Sequence, residues 1–409
     1  MNRTKLFPRS INVNSPKRRL VAGAFALTLV AAACGSDSEG GSTEPATDEA
    51  ATETTAAAAD EAVTETTAAA ADEPAAGGTV SGTLIGAGAS SQAAAMQGWQ
   101  AGFQSLNTDS TIAYDAIGSG GGRELFLSGG SDFAGSDAAL KDEEFEASKE
   151  RCVGEQGAIN LPHYISPIAI PYNLPSVDAT LNLTPAVIAG IFANTITNWN
   201  DPAIAATNEG VELPDLNINP VHRSDESGTS ENFTDYMSQS APDVWTFGEI
   251  EIWDDGPGGG EGAQGTSGVV AAVEAGEGSI GYADASQIGS LPAAAVGIGD
   301  SFVEFSPEAA GRVVDASERN TGRNEFDFAI EVNRTPDSAD VYPIALVSYH
   351  IVCLEYPDQA TVDLVKAFMT YVGSEQGQAD SSAAAGSAPI SPEVRADMLK
   401  SIDAISVGT

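Results

Sequence analysis

Three short polar stretches hold the residues of this chain best suited to chemistry. They are Gly86-Ala87-Gly88-Ala89-Ser90-Ser91, Gly118-Ser119-Gly120-Gly121-Gly122, and Arg223-Ser224-Asp225-Glu226-Ser227-Gly228-Thr229-Ser230. Each lies between a β-branched or apolar run and a segment with helical spacing, so each predicts a strand-to-helix loop. Such loops end at helix N-termini, which carry free N–H groups and partial positive charge. Glycine lets a ligand approach the backbone, and serine or threonine adds hydroxyl donors. The chemistry this suits is the binding of an anion. Any one of these loops is also a sufficient helix cap with a tight turn. Three in one chain, one of them with an arginine, argue for more.

Other site chemistries find no support. The first loop lacks the last glycine of a dinucleotide fingerprint, and no Gly-Lys-Ser/Thr of a P-loop occurs. No Gly-x-Ser-x-Gly nucleophile elbow is present. His163, His222 and His350 have no metal-ligand spacing and read as structural, although His222 adjoins Arg223. No metal and no cofactor is expected.

The elements that must position these loops belong to an acidic chain of 409 residues, with 18 basic and 58 acidic side chains and a net charge of −40. That balance excludes nucleic acid as a partner, because binding there needs a basic surface. The 42% hydrophobic content supports a folded core, and the length suggests two domains or two lobes. Three cysteines exclude a disulfide-framework protein.

Residues 1–33 read as an export signal. Arg3, Lys5, Arg9, Lys17, Arg18 and Arg19 precede an uncharged run from Leu20 to Ala33 that is shorter than the roughly 18 residues of a spanning helix. Small residues before Cys34 resemble a bacterial lipoprotein signal, with Cys34 as the lipidated residue; Ala31 stands where an aliphatic residue is usual. A plain secretory signal with an incidental cysteine is the alternative. Residues 34–78 read as a tether. They contain a repeat that begins at Asp48-Glu49, Asp60-Glu61 and Asp72-Glu73, with no base and no aromatic. Such a segment cannot bury enough apolar area to offset chain entropy, and its like charges extend it.

The folded part is 79–409. Val80 to Ile85 and Thr111 to Ile117 predict strands. Met96, Trp99, Phe103 and Leu106 predict a helix, Leu125 and Phe126 a short one, and Phe233, Tyr236 and Met237 another. Ile165 to Tyr172 and Val341 to Val352 are apolar, strand-like runs far apart in the chain. The alternation predicts an α/β fold with mostly parallel sheets.

At this point the residues resemble the phosphate-binding proteins of bacterial phosphate ABC importers, the PstS type. The resemblance covers about 79–409. It rests on Gly86-Ala-Gly-Ala-Ser90, Ala116-Ile-Gly-Ser119, Asp132-Phe-Ala-Gly-Ser-Asp137, Asn198-Trp-Asn-Asp-Pro202, Arg223 to Ser230, Gly268-Val269 and Ile280-Gly281-Tyr282. It implies a two-lobed, type II periplasmic-binding-protein-like fold. Lobe one would be 79–163 and 340–409, and lobe two 164–339. Two crossing segments would lie near 160–172 and 335–350, with a ligand held between the lobes.

By the same resemblance Ser90, the backbone N–H of Ser91, Ser119, Asp137, Arg223, Ser227, Gly228 and Thr229 would bind phosphate, and Asp225 would hold Arg223. The chain departs from the family at Ser91-Gln92, where an aromatic and a proline are usual, and at Glu226, where a glycine is usual. Cys152 and Cys353 both fall in lobe one by this division, and a disulfide between them is expected, with two free thiols as the alternative. The function implied is that of a monomeric lipoprotein on the outer face of the cell membrane, capturing phosphate for an ABC permease, and not an enzyme. The alternatives are a binder of another oxyanion such as sulfate, a secreted phosphatase on the same scaffold, or a surface protein without a ligand.

Overall fold

The computed structural model describes residues 79–408. The signal, Cys34 and the tether expected from the sequence lie outside the described residues.

The chain opens with strand β1 (Gly82–Gly88), helix α1 (Ala93–Leu106), strand β2 (Ser110–Asp115), helix α2 (Ser119–Leu127), strand β3 (Phe133–Ser136), helix α3 (Asp142–Arg151) and strand β4 (Ala158–Ala169). A return strand, Ala345–Cys353, comes back much later in the chain. One six-stranded sheet takes the order β2, β1, β3, return strand, β4 and Ala283–Asp284. Pairing is parallel among β2, β1 and β3, while the return strand runs antiparallel to both β3 and β4. A second sheet is parallel throughout, with Asn219–Arg223 between Glu261–Ala263 and Ser279–Ile280.

β4 and the return strand explain the two long apolar runs. Every residue of both is buried. A strand covered on both faces has no polar side, so it shows no alternation in sequence. β4 pairs with the return strand over Ala158–Pro167 and with Ala283–Asp284 at Ile168–Ala169, so it joins the two in one sheet. Among the described residues no helix is long and apolar enough to cross a membrane.

Helix α1 buries Met96, Trp99 and Phe103 as its spacing predicts, but Leu106 ends the helix and is 56% exposed. Trp99 donates its indole N–H to the Gly377 carbonyl at 2.8 Å, so the ring is buried without an orphaned donor. A disulfide joins Cys152, which caps α3, to Cys353 at the end of the return strand, 201 residues apart in sequence.

Candidate functional site

Four helices point their N-termini at one place. They are α1, α2, Gly228–Ser240 and Gly265–Ala275. The loops that feed them leave the carboxyl ends of β1, β2, Asn219–Arg223 and Glu261–Ala263. This is where ligands enter open α/β sheets, and four partial positive charges add there.

A closed ring of hydrogen bonds ties the loops together. Ser90 Oγ accepts from the Thr266 N–H and lies 3.1 Å from Thr266 Oγ1. The neighbouring Gly265 N–H donates to Asp225 Oδ1 at 3.0 Å. Arg223 donates from Nε to Asp225 Oδ1 at 2.7 Å, and from Nη2 to Oδ2. Arg223 Nη1 reaches Thr229 Oγ1 at 3.4 Å, and Thr229 donates to Asp137 Oδ2 at 2.8 Å. Ser91 Oγ donates to Asp137 Oδ1 at 2.6 Å, next in the chain to Ser90. Ser119 joins through its Oγ, which accepts the Asp137 N–H at 3.1 Å.

Ser90, Ser91, Ser119, Asp137, Arg223, Asp225 and Thr229 are therefore brought to one locus, with Gly228 against Ser119 and Asp137, while the Ser227 hydroxyl caps the helix by accepting the Ser230 N–H. Arg123, the other base in these loops, is turned away. Arg223 has five N–H donors; three are engaged in the ring and two remain for an anion. Gly228 and Thr229 lie ahead of the first intrahelical bond, Glu231 N–H to Ser227 O, so their N–H groups are free of the helix. Gly228 must be glycine, since a Cβ there would stand 2.8 Å from Ser119 Oγ and 2.9 Å from Asp137 Cβ. Gly88 is equally constrained: its φ is +143°, and a Cβ would fall 1.9 Å from the Gly135 carbonyl oxygen.

Charge at the site is set by burial and by these donors. Asp137 is buried, which pushes its carboxyl up; hydrogen bonds from Ser348, Ser91 and Thr229 and the charge of Arg223 oppose that. Burial also works against the charged form of Asp225, but the hydrogen bonds and charge of Arg223 overcome it and hold the carboxyl below the usual range. Tyr282 fixes the arginine from behind. Its Oη accepts the Arg223 backbone N–H at 3.1 Å, it meets Ser230 Oγ at 2.6 Å, and its ring stacks on Phe233.

Thr266, Ser348 and Gln287 are absent from the sequence-derived set. Gln287 donates to the Ser90 and Ser91 carbonyls. Thr266 had a visible signal: Gln264-Gly265-Thr266-Ser267-Gly268 has the composition of the other three loops. The departures from the family pattern also find their places. Ser91 and Gln92 are buried; the Ser91 hydroxyl is bound to Asp137 and the Gln92 Nε2 to Ser348 and the Tyr349 carbonyl, while Gln92 Oε1 has no partner. Glu226 lies against Gly120, with Oε1 3.7 Å from Arg123.

Beside the ring sits an ion cluster. Arg123 is buried and bridges Glu144 at 2.9 Å and Glu251 at 2.8 Å, while Lys141 reaches Glu251 at 2.5 Å. Glu251 Oε1 and Glu231 Oε2 are buried without a donor, so the two carboxyls can satisfy one another only by sharing a proton. Glu231 carries it, its pKa pushed up to about 9 by burial and then by the charge of Glu251. Folded Glu231 therefore keeps a proton that the unfolded chain releases from about pH 4.5 upward. The contribution of Glu231 to stability falls as pH rises through that window, with a slope of at most about 1.4 kcal/mol per pH unit. Glu231→Gln is expected to flatten the fall and to raise the urea midpoint at pH 8 above that of the unchanged protein. Equal midpoint changes between pH 5 and pH 8 in both proteins would show that Glu231 does not hold the proton.

Two crossing strands between α/β halves, with helix N-termini converging on a buried Arg–Asp ring, define an anion-binding member of the two-lobed, type II periplasmic-binding-protein-like fold. A family model described as the PBP superfamily domain matches residues 73–376. The chain belongs to this superfamily and, within it, to the PstS-type phosphate-binding proteins. Phosphate-binding protein PstS 3 of Mycobacterium leprae is 35% identical over 330 residues, covering 79% of this chain and 87% of that protein. PstS 2 of Mycobacterium tuberculosis is 36% identical over 303 residues, covering 72% and 80%. The fold matches the crystal structure of a phosphate binding protein from Stenotrophomonas maltophilia with a TM-score of 0.63 at 22% identity, over 78% of this chain and 94% of that one.

Proposed function

We propose that this chain captures inorganic phosphate between its two lobes and delivers it to an ABC importer. The observation that carries this is the placement of one acceptor, Asp137, inside a nest of donors that includes Arg223 and four helix N-termini. Donors recognise the anionic oxygens. A carboxylate among them is tolerated where the ligand itself brings a proton, which phosphate does near neutral pH and sulfate does not. Lobe one is 79–163 with 340–409 and lobe two is 164–339. Cys34 is the lipidated residue, and the segment to 78 is the spacer from the membrane.

A phosphatase reading is weaker. That chemistry needs a base beside a nucleophile. His163 and His350 face each other within the core, Nδ1 to Nδ1 at 3.0 Å, and His222 stacks on Trp253.

Calorimetric titration of the purified protein with phosphate, sulfate and arsenate tests the reading, with phosphate bound and sulfate excluded as the expected result. Asp137→Asn replaces the obligate acceptor with a group that also donates, so sulfate exclusion is expected to relax by about tenfold or more while phosphate still binds. If that variant rejects sulfate as fully as the unchanged protein, Asp137 is not the proton reader. Cys34→Ala is expected to move the protein from the membrane fraction to the soluble fraction; retention in the membrane would refute the anchor.

A further inference from the structure

Asp137 has a second set of partners that lies outside the anion loops. In the sheet, Tyr349 pairs with Ser136 and His350 with Gly135, antiparallel. The same register places Ser348 opposite Asp137, where the β3 ladder ends. Residues directly opposite across a strand pair face one another, and Ser348 Oγ donates to Asp137 Oδ1 at 2.6 Å. Its proton has no freedom to turn elsewhere, because Ser348 Oγ accepts from Gln92 Nε2 at 2.5 Å. Gln92 is itself fixed by the Tyr349 carbonyl, and both side chains are wholly buried. The register between the return strand and β4 slips by one residue between Ser348 and His350, opposite Pro162 and His163. Such irregularities often re-aim a side chain beside a site.

The acceptor positions of Asp137 can then be counted. Oδ1 receives Ser91 and Ser348, which occupies both of its lone-pair directions. Oδ2 receives Thr229 alone, so a single position remains there. Building on the phosphate reading of the site, we propose that Ser348, locked by Gln92, is a specificity-determining positioning residue. It holds two donors on Oδ1 and leaves Asp137 one open acceptor position, on Oδ2, that only a protonated oxyanion can fill.

The charged and titratable groups around Asp137 are Arg223, which favours its charge, and Asp284 and Tyr114, which it repels when they ionise. Tyr114 donates its hydroxyl to the Ala89 carbonyl and stays neutral. Asp284 titrates within the working range, its pKa pushed up to about 6 by burial. It does so whichever residue stands at 348, so comparison of variants at one pH cancels its contribution. Without Ser348, Oδ1 loses one of two donors. Asp137 then takes up a proton at higher pH, becomes a donor, and accepts a fully deprotonated anion.

The test is calorimetric titration of the unchanged protein, Ser348→Ala, Ser348→Thr and Gln92→Met with phosphate and with sulfate, at pH 5 and pH 8. The phosphate-over-sulfate preference of Ser348→Ala is expected to fall by about tenfold or more between pH 8 and pH 5, beyond any change in the unchanged protein. Ser348→Thr, which restores a hydroxyl, should recover the preference. Gln92→Met frees the Ser348 hydroxyl to rotate and should move the preference the same way by a smaller factor, which keeps the test decisive if Ser348→Ala does not fold. A preference that is independent of pH in both Ser348→Ala and Gln92→Met, or an equal loss for both anions, overturns the proposal. If the unchanged protein binds no phosphate, the underlying reading fails instead.

Discussion

Replacing Arg223 with methionine is expected to weaken phosphate binding by roughly 10²- to 10³-fold. The two guanidinium N–H groups left over by the ring are charge-assisted donors, and each such bond contributes about 1.5–3 kcal/mol. Removing them also leaves other groups short of partners: Asp225 loses both of its arginine contacts and keeps the Gly265 N–H. Arg223 is buried, and a long apolar side chain keeps its volume filled, so the loss reports donors rather than shape. Arg223→Met combined with Asp225→Asn separates two effects. The second change removes the unpaired charge and should restore thermal stability, but not affinity. An Arg223→Met variant that binds phosphate within about threefold of the unchanged protein would place the arginine outside the ligand's contacts.

Removing the disulfide with Cys152→Ser and Cys353→Ser is expected to cost about 2–5 kcal/mol of folding stability. The bridge closes a loop of 201 residues, and a long loop is where a crosslink most restricts the unfolded chain. The loop spans from the cap of α3 to the end of the return strand, so it encloses all of β4 and the whole second sheet. Both cysteines are buried, so the serine hydroxyls add an unfavourable desolvation of their own. Calorimetry should show a melting temperature lower by on the order of 10 °C. Phosphate affinity measured below the transition should change by less than about twofold to threefold, because the bridge lies five residues beyond Ser348 and touches none of the anion loops. An unchanged melting temperature would mean that the unfolded chain is already confined by other contacts.

The anion loops were legible because each concentrates its meaning in a few consecutive residues. Ser90, Ser119 and Ser227-Gly228-Thr229 sit where a strand signal meets a helix signal, and local chemistry suffices to recognise them. The fourth loop escaped notice for a physical reason. Its feeder strand, Glu261–Ala263, has three residues with none buried, so no apolar run announces it. Ser348 was hidden differently. It lies within an apolar run that reads only as a strand, and its partner Asp137 is 211 residues away. Their meeting depends on strand register, which a single sequence does not display. The mutual approach of His163 and His350 across β4 and the return strand is of the same kind. Leu106 shows the opposite error: helical spacing continued to the last residue, but the helix end had no neighbour left to cover it.

The ion cluster beside the ring bears on how cargo leaves. On the proposed division of the lobes Arg123 and Lys141 fall in the first and Glu251 in the second, so these bridges would tie the lobes together beside the anion site. A carrier held shut by its ligand alone opens once the ligand departs. With these bridges the proposed lobes would keep an attraction of their own whether or not cargo is held. On that division, parting the lobes would also require Arg123 and Lys141 to separate from Glu251.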